Sequence, residues 1–209
     1  MNYSEIVAAA KAYADRTDTE VSNNIDTFIL LIEAKINRVL KTREQSTTTE
    51  LVGVANQEYY DLPSDYAGLR HIQINNGGAQ DYDIPSVTPT LTNPEKMSDY
   101  RTNGSEGRCY YVIQNDQLLI HPLIDPPSTI SLFHYQKVPG LTSSNTTNWM
   151  SDSHPDIYIA GLVAEIEAFA KNYESSKLWY ARMMSAIEEL DNVDDMERWS
   201  GVPMQIQVG

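Results

Sequence analysis

Four histidines (His71, His121, His134, His154) and the single cysteine, Cys109, are the side chains best suited to metal or nucleophile chemistry in this 209-residue chain. His154 and Asp156, with Asp152, have the closest spacing of potential ligands. The same stretch, Asp152-Ser153-His154-Pro155-Asp156, reads better as the polar start of a helix. Cys109 precedes Tyr110 and Tyr111 in a strand-like run and has no neighbour that would activate a thiolate, so it reads as a structural thiol. Ser151 and Ser153 lack the glycine-flanked elbow of a hydrolase nucleophile. Asn75-Asn76-Gly77-Gly78 lacks the lysine and hydroxyl that complete a phosphate loop. Glu165 and Glu167 fall on different sides of a helix and make no carboxylate pair. The expectation is a protein with no catalytic, cofactor-binding or metal site.

The elements that carry these residues centre on 148–170. Ser153 or Asp152 can cap the helix start, Pro155 suits its first turn, and Asp156 lies favourably by the positive end of the dipole. Ile159, Leu162, Val163, Ile166, Phe169 and Ala170 then form one apolar stripe at helical spacing. Ala160, Gly161, Ala164 and Ala168 form a second stripe of small residues. Gly161 costs roughly 1 kcal/mol against alanine, so a close neighbour must justify it. That neighbour could be another copy of the chain, and these four residues are the expected subunit-packing set.

The formal net charge is −14. Ordinary nucleic-acid binding needs basic patches that displace counterions, so this balance argues against it. It is compatible with a surface that DNA slides past. One cysteine allows no internal disulfide. No basic-then-apolar signal pattern and no membrane-length apolar run is evident, so a soluble protein made in the cytosol is expected. The 13 tyrosines suit interfaces more than an apolar core.

Residues 3–14 read as a short amphipathic helix. A second begins near Asp18, where Thr17 and Glu20 have capping-box spacing, and runs on Val21, Ile25, Phe28, Ile29, Ile32, Ile36, Val39 and Leu40 to about 42–45. Strands are expected at 47–54, 58–62, 69–74 and 130–137, with a hairpin of 108–113 and 117–121 across Gln114-Asn115-Asp116. Asn75 to Gly78 reads as a turn, and 79–107 as irregular with a short helix at 93–100. A last helix starts near Glu174, with Trp179, Met183, Ala186, Ile187 and Leu190 buried, and an acidic run follows it. The expected fold class is α+β. Residues 1–46 and 148–200 would form a discontinuous helical bundle, 47–147 a β-rich insertion, and 201–209 an extended docking tail.

Between residues 152 and 198 eleven acidic side chains face four basic ones. Glu188, Glu189, Asp191, Asp194 and Asp195 are the candidates for an acidic channel or partner surface; a merely solvated face is the plainer alternative. In the tail, Val202, Met204, Ile206 and Val208 alternate as in a half-buried strand, which suits strand addition to another subunit. A second functional reading is a carbohydrate- or peptide-binding module with a Tyr-rich β surface formed by Tyr110, Tyr111 and Tyr135. An enzyme working through His154 or Asp156 ranks third.

The chain resembles the head-to-tail adaptor (connector) proteins of tailed bacteriophages. The resemblance rests on Ile32-Glu33-Ala34-Lys35-Ile36-Asn37-Arg38-Val39-Leu40 and on Tyr59-Tyr60-Asp61-Leu62-Pro63-Ser64-Asp65-Tyr66 followed by Leu69-Arg70. It extends to Leu118-Leu119-Ile120-His121-Pro122, to Ser131-Leu132-Phe133-His134-Tyr135, and to Asn148-Trp149 through His154-Pro155-Asp156-Ile157-Tyr158. Region 79–107 matches nothing in that pattern. The resemblance implies a virion protein of the neck: a ring, typically of twelve copies, between portal and tail or nozzle protein. DNA would pass through it without specific binding, and no membrane or enzymatic activity would be involved.

Overall fold

The computed structural model describes residues 1–75, 82–83, 110–121, 123 and 126–199. The chain divides into two compact units. One is built from Met1–Gln45 and the described residues from Val138 onward, the other from the described residues of Ser46–Lys137.

The first unit holds α1 (Tyr3–Tyr13), α2 (Thr19–Val39), a 3₁₀ turn (Arg43–Gln45), α3 (Trp149–Ser153), α4 (Pro155–Phe169) and α5 (Tyr173–Trp199). Asn2 and Glu5 form a capping box on α1. Asp18 caps α2 by accepting from the Val21 N–H, which lowers the Asp18 pKa. The Tyr3 hydroxyl donates to Asp26 at 2.6 Å and ties α1 to α2. Burial, then that carboxylate, pushes the tyrosine pKa up to about 12. The cap ahead of α4 differs from expectation. Asn148 forms a capping box with Ser151 on the short α3, and α4 starts at Pro155 after His154 with no side-chain cap. Serine and asparagine satisfy each other three residues earlier, and the proline itself needs no partner for its nitrogen.

The expected helical bundle does not form. The described residues contain five α-helices, at both ends of the chain, and two small antiparallel sheets between them. Helices α1, α2 and α5 each pack on α4 and make few backbone contacts with one another. Ile157, Tyr158, Ala160, Gly161, Leu162, Val163, Ala164 and Ile166 are all buried, so α4 is covered on several sides. A bundle helix presents one stripe to a shared seam, whereas this one is an enclosed core helix. Its weak amphipathicity follows directly from its composition.

A polar network runs through this apolar core. Glu33 of α2 accepts the Leu141 N–H at 2.7 Å and the Tyr158 hydroxyl at 3.0 Å. Asn148 donates to the same tyrosine oxygen at 2.9 Å and to the Pro139 carbonyl. Asn37, one turn along α2, accepts the Val138 N–H at 2.8 Å. Every partner lies in α2, in the segment 138–141, or at the start of α3 and α4. The network therefore fastens the returning chain onto the first half of its own unit. Burial raises the Glu33 pKa, opposed by the two hydrogen bonds it accepts. Burial, then the nearby carboxylate, raises that of Tyr158, which stays a donor.

The second unit has two antiparallel sheets. The larger runs β1 (Ser46–Val52), β7 (Thr129–Gln136), β3 (Tyr66–Asn75), β4 (Tyr82–Asp83); the smaller runs β2 (Tyr59–Asp61), β6 (Gln117–His121), β5 (Tyr110–Gln114). Their inner faces share one core of Tyr60, Leu118 and Ile120 against Ile72, Ile74, Ile130 and Leu132. Asn115 (φ 52°) and Asp116 (φ 58°) make the left-handed two-residue turn that matches strand twist. Fully buried His134 has Nδ1 3.1 Å from the Tyr135 carbonyl and Nε2 3.0 Å from Thr49 Oγ1. A carbonyl can only accept, so Nδ1 carries a proton, and in the neutral ring Nε2 then accepts from the Thr49 hydroxyl. Of the turn expected at Asn75–Gly78 only Asn75 is described, as the end of β3, and the irregular region with its short helix at 93–100 lies outside the described residues, apart from β4.

Two outcomes are expected. Gly161→Ala should destabilise by about 1–2 kcal/mol in denaturant unfolding, because overpacking against buried Met183 and stiff Ile32 outweighs the helix-propensity gain. A gain in stability would show that the two side chains yield freely. Glu33→Ala should cost about 2–4 kcal/mol by orphaning buried donors. The sign of the pH effect follows from the raised pKa. The folded chain keeps its Glu33 proton above the ordinary 4.5, so that contribution is present below 4.5 and lost as pH rises through the folded pKa. Urea unfolding of wild type and Glu33→Gln from pH 4 to 7 should show the wild type losing stability relative to the variant over that window. Parallel curves would refute the role of Glu33.

Candidate functional site

Asp152, His154 and Asp156 lie around the junction of α3 and α4. His154 sits between α3 and α4 with its ring edge-on to Trp149, centroids 6.3 Å apart. Asp156 is exposed in the first turn of α4, and exposed Asp152 lies 3.7 Å from the Met1 amino group. Among the described residues no group of three or more His, Cys, Asp or Glu is arranged to hold a metal ion. Cys109 lies outside the described residues.

The tyrosines do not converge either. On β7 the core-facing residues are Ile130, Leu132 and His134, so Tyr135 points to the opposite face, where the Arg70 guanidinium lies 5.5 Å from its ring centroid. Tyr111 belongs to the other sheet and packs against the shared core. The Tyr110 side chain lies outside the described part. The two described rings thus line no common pocket.

The small residues of α4 are consumed within the chain. Ala160 and Ala164 are buried and Ala168 is half-buried. A Cβ at Gly161 would stand 2.7 Å from Met183 Sδ of α5 and 3.0 Å from Ile32 Cγ2 of α2. The close approach that Gly161 permits is to two helices of its own unit.

The acidic run behaves differently from its reading as a segment after the last helix: α5 continues through it to Trp199. Asp194 is only 7 % exposed. It accepts from Arg43 Nε at 2.8 Å and from the Arg43 backbone N–H at 3.2 Å, fastening α5 to the 3₁₀ turn. Glu188, Glu189 and Asp191 remain exposed. Asp195 falls within α5, with its side chain outside the described part. Val202, Met204, Ile206 and Val208 lie outside the described residues.

One surface feature went unread in the sequence. Leu30 and Leu31 of α2 are 64 % and 44 % exposed. With Thr27 and Ala34 they follow helical spacing on the side opposite the buried Ile25-Ile32-Ile36 line. The signal was present: Phe28 to Leu31 is apolar at every position, more than a single buried stripe requires. Among the described residues no helix is long and apolar enough to cross a membrane.

Comparison with known proteins identifies the family. No curated protein matches the chain. The family model described as SU10 adaptor protein matches residues 1–207. That match spans nearly the whole sequence and bears out the resemblance to phage head-to-tail adaptors, so the chain belongs to the SU10 adaptor protein family.

Proposed function

We propose that this chain is a structural, non-enzymatic virion protein of a tailed bacteriophage that joins the portal to the tail. Copies assemble into a ring, of twelve as the resemblance implies, through which the DNA passes. The observation that carries this reading is the family match over residues 1–207. The helical unit makes the ring. The β unit presents the surface for the tail or nozzle protein. The segment 201–209, with Val202, Met204, Ile206 and Val208 in alternation, anchors the ring to the portal by strand addition. A net charge of −14 keeps phosphates from adhering to the passage, an effect that works within a screening length of about 8 Å at physiological salt. The exposed acids of α5 suit a partner contact better than the channel, because exposed Leu178 and Ala181 lie in line with them.

Electron microscopy of the purified chain mixed with portal rings of the same phage tests this reading. Coaxial rings on the portals are expected; a chain that stays apart at high concentration would overturn the adaptor role. A chain lacking 201–209 should keep the wild-type circular dichroism and melting profile yet fail to attach. Normal attachment by that truncated chain would remove the anchor from the proposal.

A further inference from the structure

Helix α2 is apolar on two opposite sides, and only one of them is covered by its own unit. The uncovered side carries Leu30, Leu31 and Ala34 in consecutive turns, ending in exposed Arg38 and, just past the helix, exposed Lys41. The outer side of α5 has the matching design with opposite charge. Exposed Leu178 and Ala181 are followed by exposed Glu188 and Glu189, with exposed Arg182 between them, its guanidinium 5.1 Å from the Trp179 ring centroid. From Leu31 to Arg38 is seven residues, and from Ala181 to Glu188 is also seven. Each is an axial offset of about 10 Å. Parallel helices with Leu31 on Ala181 would therefore set Arg38 and Lys41 beside Glu188 and Glu189. Closed rings are made from two different patches on one chain that fit each other, so each subunit gives one and receives the other.

We infer that the outer stripe of α2 is a subunit interface, occupied by the acidic outer face of α5 from a second copy of this chain. The assignment rests on the ring reading above. The occupant is chosen by the match in apolar-to-charge spacing and in sign. Leucines exposed in the single chain become the apolar centre of the contact, with the ionic residues at its rim.

The test uses the full-length chain, alone in sedimentation velocity over a concentration series and on portal rings in electron microscopy. Leu30→Glu with Leu31→Glu should melt as wild type does, since neither side chain is in the core, and should raise the concentration needed for assembly at least about tenfold. Arg38→Glu with Lys41→Glu should weaken assembly, and adding Glu188→Lys with Glu189→Lys should restore it. Unchanged rings from the leucine variant overturn the assignment. Rings that form in solution but no longer seat on portals also overturn it, because the stripe would then meet the portal. Failure of the compensating reversal overturns the α5 half. Absence of wild-type rings in both assays would instead sink the ring reading, and this interface with it.

Discussion

The helical unit depends on one buried carboxylate. Glu33 sits in the apolar face of α2 and is reached by donors that arrive more than a hundred residues later, at Leu141 and Tyr158. Removing a carboxylate from water is unfavourable unless its oxygens are paired, so the site exists only when the returning chain is in place. Asn148 extends the same logic. It satisfies Tyr158 and the Pro139 carbonyl while capping α3, which leads directly into α4. A cluster of this kind adds less net stability than an apolar core of equal volume. It contributes direction: apolar contacts tolerate sliding, and a hydrogen bond to a fixed N–H does not.

With that junction set, α4 becomes the centre. It is the one helix that α1, α2, α3 and α5 all contact, and its Gly161 leaves the space that Ile32 and Met183 occupy. Ile32 neighbours Glu33 in sequence, so the polar junction and the tight apolar contact share one turn of α2. At the far end of α5, Arg43 and Asp194 hold the helix to the turn that follows α2. An acidic residue in a run of acids is thus a structural tie, not part of a charged surface.

Much of this was legible in the sequence. Single-stripe periodicity located α1 and α2, β-branched runs located β1 and β7, and Asn115-Asp116 located the hairpin, because each signal is local. The bundle was misread because α4 has two apolar sides, and periodicity cannot say whether the second is met by the same chain or by another copy. Likewise nothing local distinguishes Asp194 from Asp191; only a guanidinium 151 positions away does. Leu30 and Leu31 fall outside the α2 stripe that the spacing picks out, and a run of consecutive apolar residues obscures that they form a face of their own. Glu33 had no signal beyond being a charge within an apolar line. The family was legible chiefly through the order and spacing of motifs across the chain, and the family match spans residues 1–207.

The pairing of β1 with β7 has a further implication. Ser46, at the start of the β unit, lies opposite Tyr135, two residues from its end. The unit therefore leaves and rejoins the helical unit through two strands side by side, about 5 Å apart. A segment whose two ends meet in this way can be lengthened, trimmed or exchanged without asking the host to span a new gap. Sequence change within the β unit can then proceed while the helical unit is kept as it is.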